Sequence, residues 1–339
     1  MASLKNVLVV GGAGYAGSVL VPKLLNAGYK VRVFDLYIYS RSKKLGEDIF
    51  GDLVNHKNLE QIKGDVRDEK AIDRAVSGMD AVIHLACISN DPSFDLDPQL
   101  GKSINYLSFF PFLRAINKRK IKRLIYVSTE SVYGLKKEKE VTEDLSLEPL
   151  TDYALYKVFC EKALSDHVPL SQTCWTILRP ATLCGYGPRQ RLDLTVNILT
   201  NLAVNKGEIS VFGGTQERPF VHIDDICDLY VKMLQYPEKK IAGKIFNAGD
   251  EVVSVMDVAK LVKKIVGAHV KIKKTPSDDL RSYRASAKKI WKELGWKPKK
   301  SVEVAIKDLV KAFKDGKLPN SLDDPIYYNI KMMQLLKLK

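Results

Sequence analysis

Tyr153 and Lys157 stand four residues apart in Tyr153-Ala-Leu-Tyr-Lys157, so on a helix they share one face. A phenol and an ammonium so placed can act as an acid–base pair. The ordinary tyrosine pKa is about 10, and a base at neutral pH needs it near about 7, a change of about 4 kcal/mol. A neighbouring ammonium and a cationic oxidised nicotinamide both favour the phenolate. Tyr153 then takes a hydroxyl proton while hydride leaves the same carbon for NAD. Lys157 can also hold the nicotinamide ribose. Upstream, Ile125-Tyr-Val-Ser128-Thr129-Glu130-Ser131 closes a strand-like run, at the edge where such sites form. Thr129 is expected to orient the substrate oxygen, with Ser128 supporting it. Glu130 lies next to them as a general acid or base. Plainer readings stand beside these. Ser and Thr at a strand end also cap the next turn, Tyr153 can be a packed aromatic, and Tyr156 is a second phenol beside it.

The cofactor in that chemistry needs a place to bind. Val7-Leu-Val-Val10 is an apolar run that ends in Gly11-Gly-Ala-Gly14-Tyr15-Ala16-Gly17. Apolar residues at helical spacing follow. Glycines between a strand and a helix make the tight turn, admit a pyrophosphate to the backbone, and let helix and strand pack closely. The helix N-terminus then offers free N–H groups to the phosphates. The spacing is G-x-x-G-x-x-G, and glycine also marks ordinary turns. The second strand, Lys30-Val-Arg-Val-Phe-Asp35, sharpens the reading. A carboxylate at Asp35 accepts ribose hydroxyls and repels a 2′-phosphate, which favours NAD over NADP. Arg41, close by in sequence, pulls the other way. Asp65-Val66 follows the third strand and is expected to meet the adenine, with helix capping by Asp65 as the alternative.

Strand-like runs recur at 7–10, 31–34, 59–62, 81–85, 124–128 and 176–178, with helical segments between them. Such alternation predicts an α/β fold, a Rossmann-like doubly wound parallel sheet with right-handed crossovers. We expect residues 1–180 to form this cofactor domain. Residues 181–339 should form mainly a smaller α/β substrate lobe, with some segments returning to the sheet. Helices are expected near 194–204, 224–234, 255–266, 287–294 and 302–313, and a strand at 209–212. A substrate cleft is expected between the lobes.

Composition narrows the classes. The 339 residues are 45% hydrophobic and 28% charged, which describes a globular chain. No apolar run approaches the ~20 residues of a membrane span. Met1-Ala-Ser-Leu-Lys-Asn leads almost at once into the first strand, so no signal peptide is expected. Five scattered cysteines form no C-x-x-C pair. They read as reduced thiols of a cytoplasmic protein, and no metal site is expected. The net charge is +14. The lysines are dispersed without interleaved aromatic platforms, so a solvated surface is expected and not a nucleic-acid partner.

In the second lobe, Arg218 lies in Glu-Arg-Pro-Phe-Val-His-Ile-Asp-Asp225, and Arg281 in Asp278-Asp-Leu-Arg-Ser-Tyr283. Arginine suits bidentate phosphate contacts. Two in one lobe suggest a substrate diphosphate, with surface salt bridges as the alternative.

Together these residues resemble the extended short-chain dehydrogenase/reductases, specifically the nucleotide-sugar epimerase/dehydratase family. The marks are Gly11-x-x-Gly14-x-x-Gly17, Asp65-Val66, His84-Leu85-Ala86, Asn105, Ser128-Thr-x-x-Val-Tyr-Gly134, Tyr153-x-x-x-Lys157, Arg179-Pro180 and His222-Ile-Asp-Asp225. The resemblance implies NAD in the first lobe, touched by Tyr15, Ala16, Leu85, Ala86 and Asn105 besides the residues above. It implies a nucleotide-diphosphate sugar between the lobes, contacted by Ser89, Thr182, Asn197, Arg218 and Arg281. It also implies a homodimer joined through the Tyr-Lys helix. Family dehydratases carry two adjacent acids after the Thr, whereas Thr129-Glu130-Ser131 has one. The expected activity is therefore epimerisation through a transient 4-keto sugar. A C4 dehydrogenase or 4-ketoreductase of the heptose-like branch is the alternative, because Arg179–Asn197 is similar to that branch. Dehydration ranks below these, and a non-sugar alcohol dehydrogenase or a non-catalytic NAD(P) sensor is the alternative class. Cys184 is expected to be core.

Overall fold

A computed structural model describes residues 4–89, 91–249, 251–276 and 284–336. Twelve strands are present: β1 (Asn6–Val10), β2 (Lys30–Asp35), β3 (Leu59–Lys63), β4 (Ala81–His84), β5 (Arg123–Val127), β6 (Cys174–Pro180), β7 (Thr182–Cys184), β8 (Glu208–Phe212), β9 (Glu217–His222), β10 (Lys244–Ala248), β11 (Glu251–Ser254) and β12 (Lys271–Thr275). Seven form the central sheet in the order β10-β6-β5-β4-β1-β2-β3. Every pairing in it is parallel. The strand order reverses between β1 and β4, which opens a crevice at their carboxyl ends.

Burial explains why these runs are strands. Val7, Leu8, Val9 and Val10 are all fully buried, because helices cover both sheet faces. Val7 and Val9 face one core with Leu20, Leu24, Ile226 and Tyr230. Leu8 and Val10 face the other with Phe109, Phe112, Ile116 and Leu164. β10 adds to the far edge beside β6, so the chain returns to this sheet after leaving it. A separate core holds Val196, Leu199, Val211, Phe220, Val262 and Leu309, in a lobe carrying β7-β9-β11 and the β8-β12 pair.

His84 ends β4 with its ring 4.6 Å from Phe112 and 5.5 Å from Phe109, centroid to centroid. Burial, helped by the Lys157 ammonium, pushes its pKa down to about 3. The native state therefore keeps His84 neutral, while the unfolded chain protonates it below about pH 6.5. This group's contribution is full above that pH and is lost as pH falls from about 6.5 toward its folded value. Unfolding free energy should fall by up to about 1.4 kcal/mol per pH unit from this residue alone. Urea melts of wild type and His84→Leu between pH 7 and pH 5 should show the shallower dependence in the variant. Parallel curves would contradict the assignment.

Candidate active site

One cavity of about 510 Å³ opens at the carboxyl ends of β1, β2, β4 and β5 and reaches into the second lobe. That volume suits a small-molecule site. Its floor is the glycine turn. Gly11 has φ +81°, and a Cβ there would lie 2.5 Å from Ala86 N. A Cβ on Gly17 would lie 2.2 Å from Gly12 O, so the helix Tyr15–Asn26 can start only on a bare residue. At Gly14 the nearest such neighbour is Gly11 O at 3.4 Å. Gly11, Gly14, Tyr15, Ala16 and Gly17 all line the cavity. A dinucleotide pyrophosphate fits this cradle, at a helix N-terminus whose N–H groups point outward.

Asp35 lines the cavity beyond the turn. Its carboxylate accepts Ala13 N at 2.9 Å and Tyr37 N at 2.8 Å. Burial pushes its pKa up, and these two N–H groups oppose the rise. Arg41 does not compete for a cofactor phosphate here, because it forks onto Asp324 at 2.7 and 2.5 Å. Val66, Leu85 and Ala86 line the cavity as expected.

Three expected contacts are corrected. Asp65 is spent on Arg67, whose Nε and Nη2 lie 3.0 and 2.6 Å from it, and only Val66 faces the cavity. The helix cap nearby is Asp68, which accepts Ala71 N. Asn105 is outside the cavity lining. Its Oδ1 accepts Ile88 N at 2.8 Å and its Nδ2 donates to Ile88 O at 2.9 Å, so it fixes the loop after β4. Asn197 is fully buried. It accepts Gly185 N and donates to Tyr15 OH and Arg191 O, which shapes the cavity wall from behind.

The reactive groups converge. Thr151 caps the helix Asp152–His167 and donates to Asp91 Oδ1 at 2.6 Å. That helix delivers Tyr153 and Lys157 to the cavity, opposite Ser128 and Thr129. Lys157 Nζ donates to Val127 O at 2.7 Å and sits 5.1 Å from the Tyr126 ring centroid. Burial holds the Tyr153 phenol well above its ordinary pKa. Cys87 and Asp91 push it further up, and Arg191 and a hydrogen bond with Thr129 pull it down. Ser128 Oγ donates to Glu161 Oε1 at 2.5 Å, so Ser128 is tethered to the catalytic helix.

Glu130 is the fourth correction. It is 1% exposed, lies outside the cavity lining and, among the described residues, has no hydrogen-bond partner on either oxygen. Burial raises its pKa well above the ordinary range, with Glu143 adding to the rise. It is therefore a neutral carboxylic acid packed beneath Gly249, without access to a substrate.

Ser89, Thr182 and Arg218 line the cavity. Arg281 lies outside the described residues. Cys184 is buried, with its thiol pushed up by burial, and belongs to the core. Among the described residues no cluster of His, Cys, Asp and Glu could hold a metal ion. The sequence reading missed Tyr39, Arg189, Arg191, Asp193, Asn329 and Met333, all of which line the cavity. The two arginines and Asp193 were visible as a charged run between Pro188 and Asn197. Asn329 and Met333 carried no local signal.

A dinucleotide cradle joined to a phenol–ammonium pair defines a nucleotide-dependent oxidoreductase on a Rossmann-like sheet. Comparison with known proteins makes this specific. Residues 7–249 match the NAD dependent epimerase/dehydratase family, and the chain belongs to that family as an NAD-dependent enzyme. It is 29% identical to UDP-glucose 4-epimerase of Lactobacillus helveticus, over 86% of this chain and 92% of that protein. The Bacillus subtilis UDP-glucose 4-epimerase is also 29% identical, over 88% and 93%. The structure of Thermotoga maritima UDP-glucose 4-epimerase with UDP-glucose superposes with a TM-score of 0.80 at 27% identity, covering 92% of this chain and 99% of that one.

The position of Glu130 yields a test. Glu130→Gln exchanges one neutral buried group for another of similar shape. Turnover should stay within about threefold of wild type, since substitutions away from reacting groups cost little. A loss of about 100-fold or more, the scale of a missing general acid or base, would return Glu130 to the chemistry.

Proposed function

We propose that the protein is a nucleotide-sugar 4-epimerase acting on a UDP-hexose with NAD. The observation that carries this is the convergence of reactive side chains in the cavity. Tyr153 converges with Thr129 and Lys157, while the one adjacent acid is packed outside. Similarity to UDP-glucose 4-epimerases over most of the chain supports the same reading. It does not favour a heptose-type dehydrogenase or a ketoreductase.

NAD, when bound, accepts hydride from C4 of the sugar, returns it later, and adds a positive ring that favours the phenolate. Thr129 holds the C4 hydroxyl toward Tyr153. Tyr153 removes the hydroxyl proton as the C–H bond breaks, which leaves a 4-keto sugar. Lys157 stabilises the phenolate and holds the nicotinamide ribose. The keto sugar then presents its other face, and Tyr153 gives the proton back as the C–H bond re-forms. Proton and hydride both return, so no cofactor is consumed. Asp35 holds the adenosine ribose, and Arg218 with Arg281 holds the substrate diphosphate. Residues 1–180 then serve as the cofactor domain and 181–339 as mainly the substrate lobe.

Absorbance at 340 nm and product identity, followed together with UDP-, GDP- and dTDP-sugars, test this. A changed sugar without net NADH is expected, and Tyr153→Phe should lower the rate by about 10²- to 10⁴-fold. Stoichiometric NADH would make the enzyme a net dehydrogenase, and a 6-deoxy-4-keto product a dehydratase.

We also propose a homodimer. Tyr106, Phe110, Tyr156 and Phe159 form a cluster of rings 5.2 to 6.1 Å apart. It lies where the catalytic helix meets the helix Phe109–Arg119. Phe159 is 40% and Leu107 50% exposed there. A second copy of this surface would cover the patch isologously. The free cysteines suit a cytoplasmic setting, and no described helix is long and apolar enough to cross a membrane. Sedimentation should give a dimer for wild type and a monomer for Phe159→Asp with Leu107→Asp. A monomeric wild type would end this reading.

A further inference from the structure

Among the described residues, Arg189 is a cation without an ion-pair partner. It is 4% exposed and lines the cavity. Its guanidinium stacks 3.4 Å from the Tyr39 ring centroid, and Nη2 donates to Asn329 Oδ1 at 2.7 Å. Nε is buried with no partner. No described carboxylate forms an ion pair with it, whereas Arg191 pairs with Asp193 and Arg41 with Asp324. Burial pulls its pKa down, and Asp193 and Asp35 offset this only through space.

The surroundings hold the guanidinium in place. Tyr39 OH donates to the same Asn329 oxygen at 2.9 Å. Asn329 Nδ2 donates to Ser89 Oγ, and Asn329 N donates to Asp193 Oδ2. Arg189 N donates to Ser18 Oγ in the helix that follows the glycine turn. Three segments far apart in sequence thus place one cation beside the dinucleotide cradle. A buried charge of this kind is costly unless a ligand neutralises it.

We propose that Arg189, stacked on Tyr39 and fixed by Asn329, binds a diphosphate oxyanion in the cavity, that of the dinucleotide cofactor. This rests on the reading of the cavity as a site for NAD and a nucleotide sugar. The stack on Tyr39, which follows the end of β2 that carries Asp35, places the guanidinium on the cofactor half. Arg218 lies in the other lobe, so the two arginines serve different diphosphates. Planar bidentate pairing with phosphate is the chemistry a guanidinium does best.

Calorimetry on the full chain tests the assignment with NAD, ADP, adenosine, UDP and UDP-glucuronate as probes. Arg189→Gln should weaken NAD and ADP by roughly 10- to 100-fold, the scale of lost charged hydrogen bonds, and leave adenosine and UDP unchanged. Asn329→Ala keeps the cation but frees it, and should weaken ADP by a smaller factor without changing adenosine. It serves if Arg189→Gln does not fold. A loss confined to UDP would keep the diphosphate chemistry and move it to the substrate. A loss confined to UDP-glucuronate would put the anion on the sugar and overturn the assignment. Equal affinities for every probe, or adenosine weakened as much as ADP, would overturn it too. Wild type that binds neither NAD nor UDP would remove the underlying reading along with it.

Discussion

The buried pair of Arg179 with Glu161 is the contact on which the reactive geometry depends. Nε and Nη2 of Arg179 fork onto the carboxylate at 3.0 and 2.6 Å, with both side chains almost wholly excluded from water. Such a pair is tolerable only when every remaining polar atom is satisfied. Here Ser128 donates to Glu161, Arg179 donates to Tyr133 OH, and Tyr133 donates to Asn247 Oδ1 at 2.7 Å. The network therefore joins the carboxyl ends of β5, β6 and β10 to the catalytic helix. Glu161 follows Lys157 by one turn and Tyr153 by two. Its register on the sheet sets theirs against Thr129.

Electrostatics around the phenol explain how one group suffices. Burial alone would leave Tyr153 a poor base, and Arg191 with Thr129 only partly offsets it. On the proposed function, the positive charge of a bound oxidised nicotinamide would add to the effect of Arg191. Glu130, by contrast, has its pKa raised by burial and by Glu143, and Glu143 has its own raised by burial, at a site outside the cavity lining. A reaction that is symmetric about a ketone needs one proton carrier, used in both directions. An elimination needs an acid and a base in addition, and Glu130, the acid next to Thr129 in sequence, lies outside the cavity lining.

The central sheet was legible because its signals are local. Apolar runs ending in glycine, Asp or Ser-Thr mark buried parallel strands and their carboxyl ends, and β1 to β6 fall where those runs lie. Tyr153, Lys157, Thr129 and Asp35 were readable because spacing or strand position fixes their direction. The misassigned residues failed for a common reason. Asp65, Asn105, Asn197 and Glu130 sit close to cavity positions in sequence, but the first three turn their polar atoms to protein neighbours and Glu130 is packed into the interior. A strand end or turn offers two sides, and sequence adjacency does not choose between them. Asn329 was invisible because its partners Tyr39, Ser89 and Arg189 come from three distant segments.

On the proposed function, the cavity must grip the substrate firmly while letting its sugar turn. Its polar side chains are distributed in that way. The cations Arg189 and Arg218 line the parts suited to diphosphates, where charge gives a strong and directional hold. The sugar side offers hydroxyls, and Ser89 is already engaged by Arg191 at 2.8 Å and by Asn329 at 3.1 Å. Thr182 adds a single hydroxyl to the lining. A ketone anchored through its diphosphate and held loosely at the ring can expose either face to the same hydride donor. Tight specific contacts on the ring would favour one face and trap the intermediate.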